Sequence, residues 1–208
     1  MAKLKIYGIA KSRAFRNMWA AAEAGVPYEQ VQINWADQTS KSPEFLKVNQ
    51  MGQVSAMEDD GLALTESMAI NLYIAKKYGK GGLYPADLAG EAKVWQWTMF
   101  AATSVERSMG LVSYNRYVLA PEKRSEAVAV ENLEALKRPL AVLDAALAKS
   151  PYLLGPSFTI ADVNVSSVFF GPWSNKHDFS ATPNIAAWLN RCFERPAFVA
   201  ARKLRDAS

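Results

Sequence analysis

Glu66 and Ser67 stand where a short apolar strand, Leu62–Leu64, gives way to an amphipathic helix that is predicted to end at Gly79. A helix that begins directly after a strand directs its unpaired N–H groups, and the positive end of its dipole, towards the end of the sheet. Such a position binds a carboxylate or a phosphate. The same features are typical of an ordinary hairpin followed by a capped helix, so the wider pattern has to decide between the two interpretations.

Ser12 is a second candidate for chemistry, because it precedes a helix that is predicted to run to Gly25. We expect its hydroxyl at the N-cap, where it faces the same cleft as the first N–H groups of that helix and the Glu66-Ser67 turn. A serine in front of a helix is commonly a cap and nothing more. That alternative stays open at this point.

The residues from Asn49 to Ala75 form the pattern N-x-x-G-Q-V-x-A-x-E-D-D-G-L-x-L-x-E-S-x-A-I-x-x-Y-I-A. This pattern resembles the glutathione-site signature of the cytosolic glutathione S-transferases, with the glycine, the hairpin and the Glu-Ser pair at the spacing of that family. One position departs, because Ser55 stands where the family has a cis-proline. We expect the Val54–Ser55 bond to stay cis, since the strands on either side restrict how far the backbone can swing.

The resemblance implies how glutathione, as co-substrate, would be held. Val54 would pair its backbone with the cysteinyl part, as an added strand does at a sheet edge. Glu66 and Ser67 would hold the γ-glutamyl end. Lys41 and Gln53 match positions that bind the glycyl carboxylate, although Lys41 considered alone reads equally well as a solvated surface lysine.

The segment SRAFRNMWAAAEA resembles the serine-type first helix of the theta-like and phi-like transferases, with Arg16 four residues after Ser12. The resemblance implies that the Ser12 hydroxyl donates a hydrogen bond to the glutathione thiolate and is not a covalent nucleophile. Tyr7 is the rival, because a tyrosine near the end of the first strand does this work in other branches. It stands nine residues before Arg16, closer than the usual spacing of that arrangement, so we favour Ser12.

Composition excludes several other classes of protein. The chain of 208 residues contains one cysteine, Cys192, which excludes an intrachain disulfide framework and favours a reducing, cytoplasmic location. One histidine, His177, and one cysteine argue against a His/Cys zinc site, so no metal is expected. No apolar run approaches the ~20 residues of a membrane span. The formal net charge of +4 is scattered among acids, so neither nucleic acid nor a membrane is an expected partner.

The order of predicted elements over residues 1–79 is βαβ-ββα, that of the thioredoxin fold. Only the first pair of strands has a helical crossover, and a right-handed crossover is the default. A glycine-rich linker over residues 80–89 follows, and an all-helical domain is predicted over 90–208, which makes the fold class α+β followed by all-α. The predicted strands are Lys3–Gly8, Glu29–Asn34, Val54–Met57 and Leu62–Leu64.

The second half carries helical periodicity only. Glu91–Val118 is unusually long for one helix, so we expect a bend. The next helix is predicted over Pro121–Ala148, with a kink or an end at Pro139. Thr159 and Asp162 form an aspartate version of the capping box, which resembles the capping motif of the core helix in these transferases. Its role there is in folding, so we assign Asp162 no catalysis.

The residues of an apolar pocket for hydrophobic electrophiles are the hardest to predict from the sequence. Met109, Ser113 and Tyr117 recur at helical spacing and Trp173 follows on the core helix, but such stripes are also typical of a core. The favoured function is attack of the enzyme-bound glutathione thiolate on a small electrophile, and the family resemblance implies a homodimer. A catalytically silent protein of the same fold, used for binding or assembly, is the alternative. Glutathione-dependent disulfide reduction is disfavoured, because no cysteine lies near the first helix.

Overall fold

The computed structural model describes residues 3–207, which form two compact units. The first consists of residues 3–84 and 194–207, and the second of residues 85–193. Residues 1, 2 and 208, which the predicted domains include, lie outside the described residues. No helix among residues 3–207 is both long and apolar enough to cross a membrane.

The first unit is built on a four-stranded mixed sheet with the order β2-β1-β3-β4. Strands β1 and β2 are parallel, and the other neighbouring pairs are antiparallel. Helix α1, Ala14–Ala24, makes the single crossover, which confirms the predicted βαβ-ββα order. The strands are β1 Leu4–Tyr7, β2 Tyr28–Val31, β3 Ala56–Asp59 and β4 Leu62–Thr65.

The β3–β4 hairpin turns at Asp60 and Gly61, as predicted, and both residues have positive φ, 49° and 84°. Strand β3 lies two residues later than the predicted Val54–Met57, because its ladder starts where Ala56 pairs with Tyr7 and Thr65. Val54 therefore precedes the strand. The Val54–Ser55 peptide bond is cis, as expected.

Three further α-helices belong to the described part of the first unit: α2 Pro43–Val48, α3 Ser67–Tyr78 and, after the second unit in the chain, a helix Pro196–Asp206. Helix α2 was not predicted, because six residues are too few to show periodicity. Its start is nevertheless encoded, since the Ser42 hydroxyl accepts a hydrogen bond from the Phe45 N–H and proline follows directly.

The second unit is all-helical, as predicted. The Glu91–Val118 segment is one helical run interrupted by two π-helical stretches, at residues 101–105 and 114–118. Pro139 neither ends nor divides its helix, contrary to the predicted end there. That helix begins at Glu126, later than the predicted Pro121, with Ser125 as its cap. The helices are α4 Leu88–Phe100, α5 Glu106–Ser113, α6 Glu126–Leu147, α7 Ile160–Ser174 and α8 Pro183–Phe193, and we label Pro196–Asp206 α9.

The capping box at the start of α7 is confirmed. The fully buried Asp162 carboxylate accepts hydrogen bonds from Thr159 N–H at 2.9 Å, Leu153 N–H at 3.0 Å and Trp188 Nε1 at 2.9 Å. Burial raises the pKa of Asp162, and these donors oppose the shift. The aspartate thus ties a loop and helix α8 to α7, as a folding role requires.

Helix α9 belongs with the first unit, whereas the predicted division at residue 90 had placed it in the helical domain. The reason is a buried aromatic contact with α1. The fully buried Phe198 ring lies edge-on to Phe15 and Trp19, with ring centroids 5.7 and 4.9 Å apart. Such contacts between separated parts of a chain leave no local signature in the sequence.

Candidate active site

A small polar pocket lies at the N-terminal end of helix α3. It brings together four of the predicted glutathione-binding residues, Gln53, Val54, Glu66 and Ser67. These come from the loop before β3 and from the β4–α3 junction, which the antiparallel hairpin places side by side. The complete lining is Arg13, Asn49, Met51, Gln53, Val54, Ser55, Thr65, Glu66 and Ser67.

Glu66 and Ser67 are held in fixed positions at the start of α3. Glu66 precedes the helix with φ 67° and ψ 110°, an unusual conformation for a residue with a side chain. The Ser67 hydroxyl accepts a hydrogen bond from Arg16 Nη1 at 3.4 Å, and the Ser67 carbonyl accepts one from Asn17 Nδ2 at 2.8 Å. Helix α1 therefore positions the N-terminus of α3.

Ser12 lies one residue further from the helix than predicted, because Arg13 is the N-cap of α1. Its half-buried hydroxyl still performs a capping contact, since Ser12 Oγ accepts a hydrogen bond from the Ala14 N–H at 3.1 Å. The same hydroxyl donates to the Ile9 carbonyl oxygen at 2.6 Å. The Ala14 N–H thus polarises the hydroxyl oxygen, and the Ile9 carbonyl accepts the hydroxyl proton in a hydrogen bond.

Gly8 brings Ser12 and Val54 to one place. It has φ 137°, and a Cβ added there would lie 2.6 Å from Ala14 Cβ, 3.1 Å from Ser12 Oγ and 3.5 Å from Val54 Cβ. Only glycine combines this backbone conformation with such close neighbours. Although Ser12 does not line the polar pocket itself, its hydroxyl is therefore adjacent to the Val54 backbone segment that does.

Tyr7 points into a different environment. Its ring packs in a small core cluster with Ile33, Phe45 and Ala56, and its hydroxyl donates a hydrogen bond to the Glu58 carboxylate on β3. Burial, together with the hydrogen bond and the negative charge of Glu58, raises the pKa of Tyr7 well above its usual value. A phenol held in this way is a poor donor for a separate anion.

The loop that carries Gln53 is organised by Asn49, a residue that is part of the sequence pattern but had no predicted role. Asn49 Nδ2 donates to the Gln53 carbonyl at 2.6 Å, and Asn49 Oδ1 accepts from the Met51 N–H at 3.1 Å. Lys41 lies just outside the pocket lining, where its Nζ donates to the Met51 carbonyl at 3.2 Å. It thus reaches the loop that forms the pocket rim.

Comparison with known proteins identifies the family. Residues 2–76 match the glutathione S-transferase N-terminal domain, and residues 107–196 match the C-terminal domain of the same family. Glutathione S-transferase 1 of Zea mays is 36% identical over 205 residues, which cover 95% of this chain and 94% of that protein. The chain belongs to the glutathione S-transferase family.

Two further relatives bear on the function of this transferase-family chain. A solved glutathione S-transferase-I bound with lactoylglutathione is 34% identical, with a TM-score of 0.88 over 98% of this chain and 100% of that one. Elongation factor 1-gamma 2 of Oryza sativa subsp. japonica is 36% identical over 157 residues, which are 75% of this chain but only 37% of that protein. The chain is therefore similar both to a glutathione S-transferase and to part of an elongation factor.

In this glutathione S-transferase the residues predicted to contact the electrophile lie in the helical unit. Met109 is fully buried, so its side chain is part of the core. Tyr117 shares a hydrogen bond of 2.9 Å with His177 Nδ1, and burial, aided by the charge of Arg116, lowers the pKa of that histidine. Trp173 Nε1 donates to Asn190 at 2.9 Å. Ser113, Tyr117 and Trp173 are each half-buried.

Arg13 and Thr65 are pocket residues that the sequence interpretation missed, since nothing in their local context sets them apart from surface residues. Among residues 3–207, no group of His, Cys, Asp and Glu side chains is arranged to hold a metal ion. The chemical groups of the site are thus hydroxyls, amides, backbone N–H groups and a few charges.

Proposed function

We propose that this protein is a glutathione transferase that binds glutathione at the start of α3 and joins its sulfur to small hydrophobic electrophiles. The observation that carries the proposal is the adjacency of Ser12 Oγ and Val54 across Gly8. A tripeptide that pairs with the Val54 backbone would bring its central residue, the cysteine, next to a hydroxyl at a helix N-terminus.

The pocket suits the charges of the tripeptide. The Ser67 N–H and hydroxyl lie at the positive end of α3, where a γ-glutamyl carboxylate is stabilised, and the exposed Glu66 carboxylate suits the neighbouring ammonium group. At the other end, Gln53 and Lys41 would bind the glycyl carboxylate.

Ser12 would stabilise the thiolate. A free thiol has a pKa of about 8.5, and each unit of depression needs about 1.4 kcal/mol of preference for the anion. A hydrogen bond to an ion supplies roughly 1.5–3 kcal/mol and a partly buried helix terminus up to ~2 kcal/mol, so a depression of about two units is available. The hydroxyl would exchange its Ile9 acceptor for the thiolate, while the Ala14 N–H keeps the oxygen polarised.

The reaction then consists of one bond exchange. The thiolate sulfur attacks an electrophilic carbon and forms a carbon–sulfur bond, while the leaving group departs with the bonding electron pair. Binding both reactants removes much of the entropy cost of bringing them together. On the electrophile side we retain Ser113, Tyr117 and Trp173 as proposed contacts.

We also propose a homodimer in the cytoplasm. Leu88, Trp95 and Met99 recur at helical spacing on α4, and each is at least half exposed, at 81%, 54% and 54%. An exposed apolar stripe of this kind is typical of a surface that another protein covers. A second copy of the chain is the partner that family membership favours.

A binding or assembly protein is the second candidate, and the relationship with elongation factor 1-gamma favours it. One experiment separates the two. The purified protein is passed over immobilised glutathione and assayed for conjugation of a generic aromatic halide. We expect retention and turnover. A folded sample that shows neither would favour the binding protein.

A further inference from the structure

The loop of residues 8–13, which joins β1 to α1 and carries Ser12, is tied down at both ends. Its first half is held by the β2 side of the sheet. The Gly8 N–H donates to the Val31 carbonyl at 2.9 Å, and Gln30 Nε2 donates to the Gly8 carbonyl at 3.0 Å. The Ile9 N–H donates in turn to a carbonyl just after β2, at 3.1 Å.

The second half of the loop is held by a side chain from the far end of the chain. Arg205 Nη1, in the last turn of α9, donates to the Ala10 carbonyl at 3.1 Å. Ala10 is buried and lies two residues before Ser12. The guanidinium also lies over the Phe15 ring, 5.7 Å from its centroid. The Ile9 carbonyl accepts a hydrogen bond from the Ser12 hydroxyl, and the next carbonyl along the chain, that of Ala10, accepts one from Arg205.

Helix α9 is a rigid support for this contact. At its start, Arg195 makes two hydrogen bonds of 2.7 Å to the nearly buried carboxylate of Glu23 on α1. A bidentate pair of this kind fixes orientation as well as distance. With Phe198 packed between these ends, α9 is attached to α1 along its length, and Arg205 has little freedom to leave Ala10.

We propose that Arg205 is a positioning residue for Ser12: by holding the Ala10 carbonyl it fixes the backbone that sets where the Ser12 hydroxyl points. The catalytic part of this inference rests on the proposed glutathione chemistry, but the structural part does not. Without Arg205 the buried Ala10 carbonyl loses its charged donor, and the loop must shift to find another. A displacement of about 1 Å at a reacting group is enough to lower turnover by up to ~100-fold.

The test compares Arg205→Gln with Arg205→Lys, which keeps a cationic donor, and with Arg202→Gln as a control on the same helix. For Arg205→Gln we expect kcat/KM to fall about 5- to 50-fold, while the KM for glutathione changes less than about twofold. The pKa of the bound thiol, followed by its thiolate absorbance, should rise by about half a unit to one unit. Arg205→Lys should recover much of the loss, and Arg202→Gln should behave as the wild type.

Amide hydrogen exchange at Ser12 and Ala14 gives a readout that does not depend on activity. It should accelerate in Arg205→Gln and not in Arg202→Gln, because the loop opens more often. An Arg205→Gln variant with unchanged exchange and an unchanged thiol pKa, and with only a lower Tm, would overturn the proposal. If that variant does not fold, Arg205→Lys must show a smaller shift in the same direction. If the wild type fails to conjugate glutathione, the proposed function fails, and exchange alone decides the positioning role.

Discussion

The hydroxyl of Tyr7 is hydrogen-bonded to the carboxylate of Glu58 on the neighbouring strand. The two hydroxyls considered for contact with the glutathione thiol, those of Tyr7 and Ser12, are therefore in different environments. The Tyr7 hydroxyl donates to a carboxylate of the sheet, whereas the Ser12 hydroxyl donates to the Ile9 carbonyl. A small rotation about the Cβ–Oγ bond of Ser12 would direct its proton to another acceptor. This contrast favours Ser12 over Tyr7 as the hydroxyl that would contact the thiolate.

Ser12→Ala should lower turnover by roughly ten- to a thousandfold, the effect expected for loss of one donor to a bound or developing anion. Glutathione affinity should change much less, because most proposed contacts lie at Val54, Glu66 and Ser67. Steady-state kinetics with an aromatic halide, together with calorimetry for glutathione, provide the measurement. Unchanged turnover in a folded Ser12→Ala protein would remove the serine from the mechanism.

Tyr7→Phe should leave turnover within about threefold of the wild type and lower stability by about 1 kcal/mol, because it removes one internal hydrogen bond. Urea unfolding measures the stability, and the same halide assay measures the rate. A loss of activity greater than that of Ser12→Ala would show that the catalytic hydroxyl has been assigned to the wrong residue.

Ser55→Ala should stabilise the free protein. The buried Ser55 hydroxyl has no hydrogen-bond partner among the described residues, so its removal relieves an unsatisfied polar group. We expect a gain of about 1 kcal/mol, or a Tm higher by about 2–4 °C for a chain of this size. Glutathione affinity should be retained in Ser55→Ala and reduced in Ser67→Ala. A lower Tm would indicate that the Ser55 hydroxyl has a partner after all.

Asp59 makes the stability of the first unit sensitive to acid. Its buried carboxylate accepts hydrogen bonds from Tyr73, Lys77 and Tyr78 at 2.9, 2.6 and 2.7 Å. Burial alone would raise the pKa of Asp59, but the three donors and the lysine charge outweigh it and lower the pKa. A lowered pKa in the folded state gives stability that is present above the unfolded-state value of about 3.9 and is lost as the pH falls through the folded-state value.

Asp59→Asn should therefore cost about 2–4 kcal/mol near neutral pH. The difference from the wild type should be constant from about pH 8 to pH 5. It should shrink below about pH 4, where the carboxylate of the unfolded wild type takes up a proton, until the folded carboxylate is protonated as well. Denaturant unfolding at several pH values measures this difference. A difference that does not narrow in acid would show that the charge of Asp59 is not what stabilises the hairpin.

Trp95→Glu should convert the proposed homodimer into monomers, because it places a charge in the exposed apolar stripe of α4. Val142→Glu is the matched control, since Val142 is similarly exposed but lies on α6. Sedimentation velocity over a range of concentrations distinguishes the two states. A wild type that is monomeric at all concentrations would remove the dimer from the proposal.

Local signals in the sequence predicted the elements that depend on local chemistry. Helix α1 ends at Gly25, which adopts the left-handed conformation that only glycine adopts readily, and the Asp60-Gly61 turn and the Thr159–Asp162 box follow the same logic. Pro139 shows the limit of such rules, because it lies inside α6 without ending it. The fully buried Leu136 and Leu143 flank this proline within the same helix.

In the candidate site, too, the residues close together in the sequence could be predicted, and those brought in by packing could not. Gln53, Val54, Glu66 and Ser67 lie within one short pattern, so their proximity could be predicted. Arg13 reaches the pocket only through the packing of α1 beside α3, which the sequence does not express. The one-residue displacement of Ser12 from the cap has a similar origin, because the start of α1 is set by the loop anchored on β2 and α9.

The return of α9 to the first unit has a consequence for synthesis on the ribosome. The sheet and its first three helices emerge before the helical unit, yet the aromatic surface formed by Phe15 and Trp19 is completed only by Phe198, which follows that unit in the chain. Domains generally fold as units while the chain is being made, and uncovered apolar surface at that stage attracts chaperones or other nascent chains. The nascent protein must therefore carry an unfinished first unit for as long as the helical unit takes to be synthesised.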